Sequence, residues 1–212
     1  MKKFITFEGG EGTGKSTQAK LLSKSLSSIN ENNLLTREPG GTKVSDKIRK
    51  ILVEDKNSNI SSDVELLLIY ASRHQHLKEK IIPSLKEKTV ICDRYIHSTI
   101  SYQFDIKNFA RKLDFFHKNF AFNLMPDLTI LLDLAPDIGL KRSLKIKNKE
   151  TRFENKDKIY HEKIRKNFLR LSKKYKNMYK IDASSSKKVI HKEIIDHLNN
   201  LLFFKRKLPC VI

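Results

Sequence analysis

Short apolar runs alternate with longer amphipathic segments along the chain. The apolar runs predict buried strands at residues 2–8, 34–38, 89–92, 127–134 and 178–182. Apolar positions at helical spacing predict helices at 13–28, 43–53, 62–81, 96–103, 108–122, 157–176 and 187–204, with another opening at Pro136. Strands that alternate with helices predict an α/β fold, in which a parallel sheet of about five strands is covered on both faces.

Length and hydropathy favour a single globular domain. The 212 residues contain 39% hydrophobic positions, which is enough for a core, and no apolar run approaches the 18 residues of a membrane span. The charged start of the chain reaches glycine after a very short apolar run, unlike a secretory signal. Cys92 and Cys210 form neither a disulfide framework nor a metal-ligand spacing, so we expect a cytoplasmic protein.

The charge balance is strongly basic, with a formal net charge of +19. Residues 141–180 hold 16 lysines and arginines against 4 acidic residues, so this segment alone supplies +12. The lysines surround the predicted helices and lack the interleaved aromatic residues of single-strand nucleic-acid binders. We therefore expect a solvated, anion-attracting surface, with nucleic-acid binding as the less favoured alternative.

A glycine-rich loop carries the clearest chemical signal. Gly9, Gly14, Lys15 and Ser16 fit the pattern G-x-x-x-x-G-K-S between a predicted strand and a predicted helix. Glycines let backbone N–H groups turn toward phosphate oxygens, and the helix N-terminus adds partial positive charge. The pattern predicts a bound nucleoside triphosphate with Mg²⁺, and leaves GTPase, ATPase and small-molecule kinase open.

Two further stretches follow predicted strands. TREPGGT (36–42) and DRYIHSTISYQ (93–103) begin at the carboxyl ends of strands, where open α/β sheets bind ligands. Arg49 and Arg73 lie on predicted helices between them, with no acidic residue four positions away on the same face. Together with the glycine-rich loop, these pieces predict a second anion site that faces the first.

FEGGEGTGKST, TREPGGT and DRYIHSTISYQ resemble the three signature stretches of thymidylate kinases, in the same order. MPDLTILLD and RFE…HEKI match as well, so the resemblance covers residues 3 to about 184. It implies transfer of the γ-phosphoryl group of ATP to dTMP with Mg²⁺, by a homodimer of a three-layer P-loop kinase fold. We expect one domain at 1–204 with a short mobile lid at about 141–155, followed by a C-terminal tail at 205–212 to which the sequence assigns no role.

The resemblance also implies roles on the ATP side. Lys15 bridges the donor phosphates, Arg152 in the lid stabilises the transferring phosphoryl group, and Arg142 stacks on adenine. Ser16 and Asp93 meet the metal ion. The implied catalytic residues are Lys15, Arg94 and Arg152, and the implied ATP-binding residues are Gly9, Gly10, Glu11, Gly12, Thr13, Gly14, Lys15, Ser16, Thr17 and Arg142.

On the acceptor side, the resemblance places Arg49 and Arg94 on the dTMP phosphate and Glu11 near the deoxyribose 3′-OH. Arg73 reads thymine O4, and Tyr102 excludes a ribose 2′-OH. The implied dTMP-binding residues are Glu11, Glu38, Arg49, Ile69, Arg73, Arg94, Thr99, Tyr102 and Gln103.

One position departs from the family pattern. Ile69 stands where the family usually has a phenylalanine that stacks on thymine. Tyr70 cannot replace the stack, because adjacent helix positions point about 100° apart. The alternatives are a kinase for another nucleoside monophosphate or a deoxynucleoside, and a P-loop protein that binds nucleic acid.

Overall fold

A computed structural model describes residues 2–53, 60–103, 108–144 and 156–212 of the protein. Five parallel strands form one sheet in the order β2-β3-β1-β4-β5, which confirms the predicted α/β fold class. The strands are β1 (Phe4–Glu8), β2 (Asn33–Arg37), β3 (Thr89–Asp93), β4 (Leu128–Asp133) and β5 (Met178–Asp182).

Helices connect the strands, as the hydrophobic spacing predicts. In the part of the chain that the structure describes, they are α1 (Lys15–Ser27), α2 (Lys43–Val53), α3 (Ser62–His76), α4 (Ile82–Ser84), α5 (Ile96–Tyr102), α6 (Phe109–Phe120), α7 (Pro136–Leu144), α8 (Lys158–Lys174) and α9 (Lys187–Asn200). The predicted helix 62–81 is α3 continued by a π-helical turn at Leu77–Ile81. None of the described helices is long and apolar enough to cross a membrane.

Local signals at the helix starts agree with this architecture. Ser61, Asp157 and Ser186 precede α3, α8 and α9, and each side chain accepts a hydrogen bond from the backbone N–H three residues later. Such caps satisfy one of the backbone donors that the first helical turn leaves unpaired.

The core lies on both faces of the sheet because β1 alternates its side chains between them. Ile5 and Phe7 pack with α1 and α9 on one face. Phe4 packs on the other face with α3 and with Tyr95. A third cluster joins α8 to β4 and β5 through residues such as Phe168.

The sheet order places a crevice beside the central strand. β1 pairs with β3 on one side and with β4 on the other. The connections that belong to the two halves of the sheet therefore diverge at the carboxyl end of β1. Ligands of open α/β sheets bind at such a point, beyond the carboxyl ends of the strands. The glycine-rich loop follows β1 there, and Asp93 and Arg94 lie at the end of β3.

The C-terminal tail has a packing role that the sequence did not indicate. Leu208 is only 4% exposed and belongs to the cluster formed by α1 and α9. The side chain of Asn199 binds both the backbone N–H and the carbonyl of Leu208, at 2.7 and 3.0 Å. Arg206 and Val211 add hydrogen bonds to Ile29 and Ser25. The tail is thus fastened to the domain.

We expect Leu208→Ala to lower the free energy of unfolding by about 2–5 kcal/mol, because it leaves a cavity beside α1 and α9. Leu202 is 80% exposed, so Leu202→Ala is a matched control in the same segment, with an expected change within about 0.5 kcal/mol. Urea unfolding measures both variants. Equal midpoints for the two would contradict a packing role for the tail.

Candidate active site

The glycine-rich loop joins β1 to α1 in a conformation that requires glycine. Gly14 has φ = 91° immediately before α1, in the left-handed region. At Gly12, an added Cβ would lie 1.9 Å from the carbonyl oxygen of Gly139, because the loop packs directly against α7. The loop therefore lies at the N-terminus of α1, where backbone N–H groups can receive phosphate oxygens.

Lys15 is the first residue of α1, and its side chain folds back against the glycine-rich loop. Its Nζ donates a hydrogen bond to the carbonyl oxygen of Gly10 at 2.6 Å, and the side chain is buried. Burial and the nearby Arg94 lower the pKa of Lys15 to about 8, although Glu11 and Asp93 partly oppose them. The ammonium group is therefore held in place, poorly solvated and ready for an anionic partner.

We expect ATP affinity to fall above pH 8. Below that pH Lys15 is already protonated in the free protein, whereas above it the ligand must draw a proton onto Lys15, which costs about 1.4 kcal/mol per pH unit. The dissociation constant of MgATP should rise about fivefold between pH 8 and pH 9, and about tenfold between pH 7 and pH 9. Calorimetry at pH 7, 8 and 9 tests this, with Lys15→Met as the variant that lacks the titrating group. A constant affinity over this range would contradict the assignment.

Ser16 and Asp93 meet across the crevice. The Ser16 hydroxyl donates a hydrogen bond to Asp93 Oδ2, although the residues are 77 positions apart. Hydroxyl and carboxylate oxygens are ligands that Mg²⁺ accepts, and Mg²⁺ takes its remaining ligands from water and substrate phosphates. The described residues contain no cluster of three or more His, Cys, Asp or Glu that could hold a metal ion. The pair fits Mg²⁺ shared with a nucleotide.

Arg94 lies between the glycine-rich loop and a cavity. Its backbone is left-handed, with φ = 69°, which is uncommon for a residue other than glycine. Nη1 donates to the carbonyl oxygen of Gly9 at 2.9 Å, and Nη2 donates to Glu11 Oε1 at 2.7 Å. The guanidinium also lies over the ring of Tyr102, 5.1 Å from its centroid. Arg94 is thus fixed from three sides.

One carboxylate oxygen of Glu11 accepts hydrogen bonds from two side chains. Arg94 Nη2 and the Tyr102 hydroxyl both reach Oε1, at 2.7 and 2.8 Å. Burial acts to raise the pKa of Glu11, but Arg94 and Lys15 outweigh it and lower the pKa to about 2. Glu11 is therefore ionised at neutral pH, and it links the glycine-rich loop to α5.

The cavity beside Arg94 is lined by every residue that the resemblance assigned to the acceptor. Its wall is formed by α2, α3, α5 and the loop after β2, and it reaches Glu11 in the glycine-rich loop. The residues lining it are Glu11, Glu38, Pro39, Arg49, Leu52, Val53, Glu65, Ile69, Arg73, Arg94, Tyr95, Ser98, Thr99, Tyr102 and Gln103. The cavity thus adjoins the phosphate loop, and Arg94 and Glu11 stand at their junction.

A buried network holds Arg73 in the cavity wall. Arg73 Nε donates to Glu38 Oε2 at 2.7 Å, and Nη2 donates to Thr99 Oγ1 at 2.9 Å. The other oxygen of Glu38 lies 3.2 Å from His76 Nδ1, and His76 Nε2 lies 2.7 Å from Thr36 Oγ1. Glu38 therefore lines the cavity, but its described contacts are to protein groups that orient Arg73.

Ile69 and Tyr70 point in different directions, as the helical geometry predicts. Ile69 lines the cavity with Leu52 and Val53. Tyr70 is buried on the opposite side, where it stacks on Phe116 with ring centroids 5.2 Å apart. The cavity wall is therefore aliphatic at Ile69, where the resemblance implies an aromatic ring.

Two buried residues of the acceptor region were missed by the sequence analysis. Glu65 lines the cavity and accepts a hydrogen bond from Gln103 Nε2, and His76 supports Glu38. Glu65 lies four residues before Ile69 and eight before Arg73, on one helical face. That spacing is a sequence signal that could have identified Glu65. No such signal marks His76, because its contact is with Glu38, 38 positions away in the sequence.

Arg142 lies in the last turn of α7. Arg142 donates to the carbonyl oxygens of Ala183 and Ser184, at 2.7 and 2.9 Å, so it contacts the loop between β5 and α9. Arg152 and most of the predicted lid (145–155) lie outside the described residues.

Comparisons with known proteins identify the family. A sequence model of thymidylate kinases matches residues 7–194. Thymidylate kinase of Acholeplasma laidlawii is 40% identical over 92% of this chain and 98% of the relative, and that of Pelobacter propionicus is 44% identical over 81% and 82%. A crystal structure of thymidylate kinase from Ehrlichia chaffeensis is similar with a TM-score of 0.73 and 33% identity, covering 93% of this chain and 98% of that one. The chain belongs to the thymidylate kinase family.

Proposed function

We propose that this protein transfers the γ-phosphoryl group of ATP to dTMP, giving dTDP and ADP. The observation that carries the proposal is the junction between the two sites. Arg94 bridges the carbonyl of Gly9 in the phosphate loop and Glu11 at the mouth of the acceptor cavity. A guanidinium at that point can contact both an acceptor phosphate and the group being transferred.

The reaction needs alignment and charge neutralisation more than a base. An oxygen of the dTMP phosphate is already ionised and attacks the γ-phosphorus, and the bond to the β,γ-bridging oxygen breaks. In the proposed arrangement Lys15 neutralises the donor phosphates, Arg49 and Arg94 hold the acceptor phosphate, and Arg73 and Thr99 contact the base. Glu11 accepts a hydrogen bond from the 3′-OH, and Tyr102 beside it occupies the space of a 2′-OH.

Mg²⁺ is the proposed cofactor, held by Asp93 and Ser16. When bound, it supplies positive charge to the phosphate oxygens. The pair of oxygen ligands at the end of β3 supports this assignment.

An ADP-release assay with MgATP tests the proposed reaction. It compares dTMP, dUMP, UMP, CMP, AMP and thymidine at equal concentration. We expect a strong preference for dTMP. Preference for thymidine or for another monophosphate would retain the kinase chemistry and reject the acceptor, and inactivity with all of them would reject the function.

The lid assignments are also proposals. We propose that residues 1–204 form one kinase domain in which Arg152, on a lid of about 141–155, stabilises the transferring phosphoryl group, and that Arg142 stacks on adenine. The position of Arg142 beside the β5–α9 loop supports the second role. Near-normal activity of Arg152→Ala would move the lid role to another residue, Arg142 first.

Ile69→Phe is expected to lower the KM for dTMP about three- to tenfold. An aromatic ring in the aliphatic wall would stack on the base, and such pairs contribute about 0.5–1.5 kcal/mol beyond buried area. Steady-state kinetics with Ile159→Phe as control tests this, because it makes the same change at a residue that is 63% exposed on α8 and does not line the cavity. An unchanged or higher KM would reject the idea.

We propose that the protein is a homodimer through α2, α3 and α6. Exposed apolar side chains occupy these three helices, and α3 contacts both of the others. They are Val44, Ile51, Val64, Leu67, Phe115 and Phe120. Apolar side chains grouped on neighbouring helices favour association with another protein surface.

Sedimentation velocity of Leu67→Asp tests the dimer. We expect the variant to sediment as a monomer, because a carboxylate would be buried in the interface. Ile159 on α8 is 63% exposed, so Ile159→Asp serves as the control and should remain dimeric. A wild-type protein that is monomeric at micromolar concentration would reject the proposal.

The proposed location is the cytoplasm. Both cysteines lie in the described part of the chain and are free thiols, Cys92 buried and Cys210 exposed, as a reducing compartment favours. We do not assign nucleic-acid binding to the +19 charge. The proposed partners are ATP, dTMP and a second copy of this chain.

A further inference from the structure

Glu65 places a carboxylate in the wall of the acceptor cavity. The residue is 7% exposed, and it shares the cavity-lining face of α3 with Ile69 and Arg73, one and two turns further along the helix. Burying an ionised carboxylate is costly unless hydrogen-bond donors surround it. Its position in the cavity wall therefore requires at least one hydrogen-bond donor as a partner.

Gln103 supplies one such donor. Gln103 Nε2 donates a hydrogen bond to Glu65 Oε1, and Gln103 is itself 4% exposed in the cavity wall. An ionised carboxylate only accepts hydrogen bonds, whereas a primary amide has a donating and an accepting end. Glu65 therefore selects one of the two orientations of the amide, with the nitrogen toward Glu65 and the oxygen of Gln103 on the opposite side.

Arg73 fixes the complementary group. Glu38 and Thr99 hold its Nε and Nη2, while Nη1 is buried with no hydrogen-bond partner among the described residues. Nη1 can only donate. The wall of the cavity thus combines a guanidinium donor with an amide oxygen whose direction is fixed by Glu65.

We propose, on the basis of the proposed function, that Glu65 determines base specificity by orienting Gln103. Thymine and uracil present an acceptor at O4 and a donor at N3, which match Nη1 of Arg73 and the oxygen of Gln103. Cytosine presents a donor at N4 and an acceptor at N3. Its N4 donor would face the donor Nη1 of Arg73, and its N3 acceptor would face the accepting oxygen of Gln103. Glu65 is a positioning residue, since it acts through Gln103 and selects 4-keto over 4-amino pyrimidines.

Glu65→Gln is the first variant. Its amide has nearly the same size as the carboxylate but can donate as well as accept, so either orientation of Gln103 becomes possible. We expect the preference for dTMP over dCMP in kcat/KM to fall at least about tenfold, since mismatched polar groups carry the discrimination. The kcat at saturating dTMP should stay within about threefold, because the phosphates are held elsewhere.

The chain offers a matched control. Glu79 also accepts a hydrogen bond from the amide of a glutamine, Gln75, but it is exposed in the turn after α3 and does not line the cavity. Glu79→Gln makes the same chemical change and should leave the ratio of dTMP to dCMP unaltered.

A double-mutant cycle separates orientation from general stability. Gln103→Leu removes the oriented amide. We expect the double variant Glu65→Gln/Gln103→Leu to show the same preference for dTMP over dCMP as Gln103→Leu alone. Additive losses in the preference, or equal losses for dTMP and dCMP in Glu65→Gln, would overturn the proposal. If the wild type phosphorylates neither nucleotide or prefers dCMP, the proposed function fails with it. A wild type that prefers dTMP but is insensitive to Glu65→Gln overturns the present proposal alone.

Discussion

Arg94→Ala is expected to lower kcat/KM for dTMP by about a thousandfold. Loss of one preorganised donor to developing negative charge typically costs a hundred- to a thousandfold. Here Glu11, ionised with a pKa of about 2, would also lose its ion-pair partner and repel the acceptor phosphate. Both effects act on the same phosphoryl group.

Steady-state kinetics with varied dTMP, together with thermal unfolding, measures the effect of Arg94→Ala. Arg94→Lys retains the charge without the two-pronged contact to Gly9 and Glu11, and should lie between the wild type and the alanine variant. Arg170 is exposed on α8, so Arg170→Ala is the control for loss of an arginine. Less than a tenfold loss in a folded Arg94→Ala protein would remove Arg94 from the catalytic residues.

Lys15→Ala is expected to lower kcat/KM for ATP by at least about a hundredfold, while dTMP binding changes little. Lys15 lies under the phosphate loop, and its charge has a depressed pKa because it is buried beside Arg94. A phosphate oxygen would gain a poorly solvated cation as its partner, and such a contact is stronger than one in water.

Two measurements separate this effect from a loss of structure. Kinetics with varied ATP gives the loss, and calorimetry with dTMP alone tests the acceptor site. Lys20 is exposed on the same helix, and Lys20→Ala should behave as the wild type. Equal weakening of ATP and dTMP binding in Lys15→Ala would show that the lysine supports the whole site and not the donor phosphates in particular.

The two variants have opposite expected selectivity. Arg94→Ala should impair the acceptor side more than the donor side, and Lys15→Ala the reverse. The two side chains are close enough that Arg94 lowers the pKa of Lys15, so their effects should not be additive.

The fold class, and the edge of the sheet at which the site lies, follow from local patterns in the sequence. Apolar runs of strand length and amphipathic runs of helical spacing are local patterns, and they placed β1, β3 and β4 within one or two residues. The glycine-rich loop and the stretch from Asp93 both follow strands, and parallel strands bring their carboxyl ends to one edge. The nine acceptor residues implied by resemblance therefore lie around one cavity.

Which of those residues contact and orient one another became visible only in the folded structure. Arg73 showed no acidic neighbour along its helix, yet its partner is Glu38, 35 residues away on another element. Glu65 accepts a hydrogen bond from Gln103, 38 positions away in the sequence. The backbone N–H of Leu208 donates to the side chain of Asn199 on α9, which holds Leu208 in the core. Periodicity reports the burial of a position relative to its own helix or strand. It carries no information about which distant side chain will satisfy a buried charge, because that depends on how the elements pack.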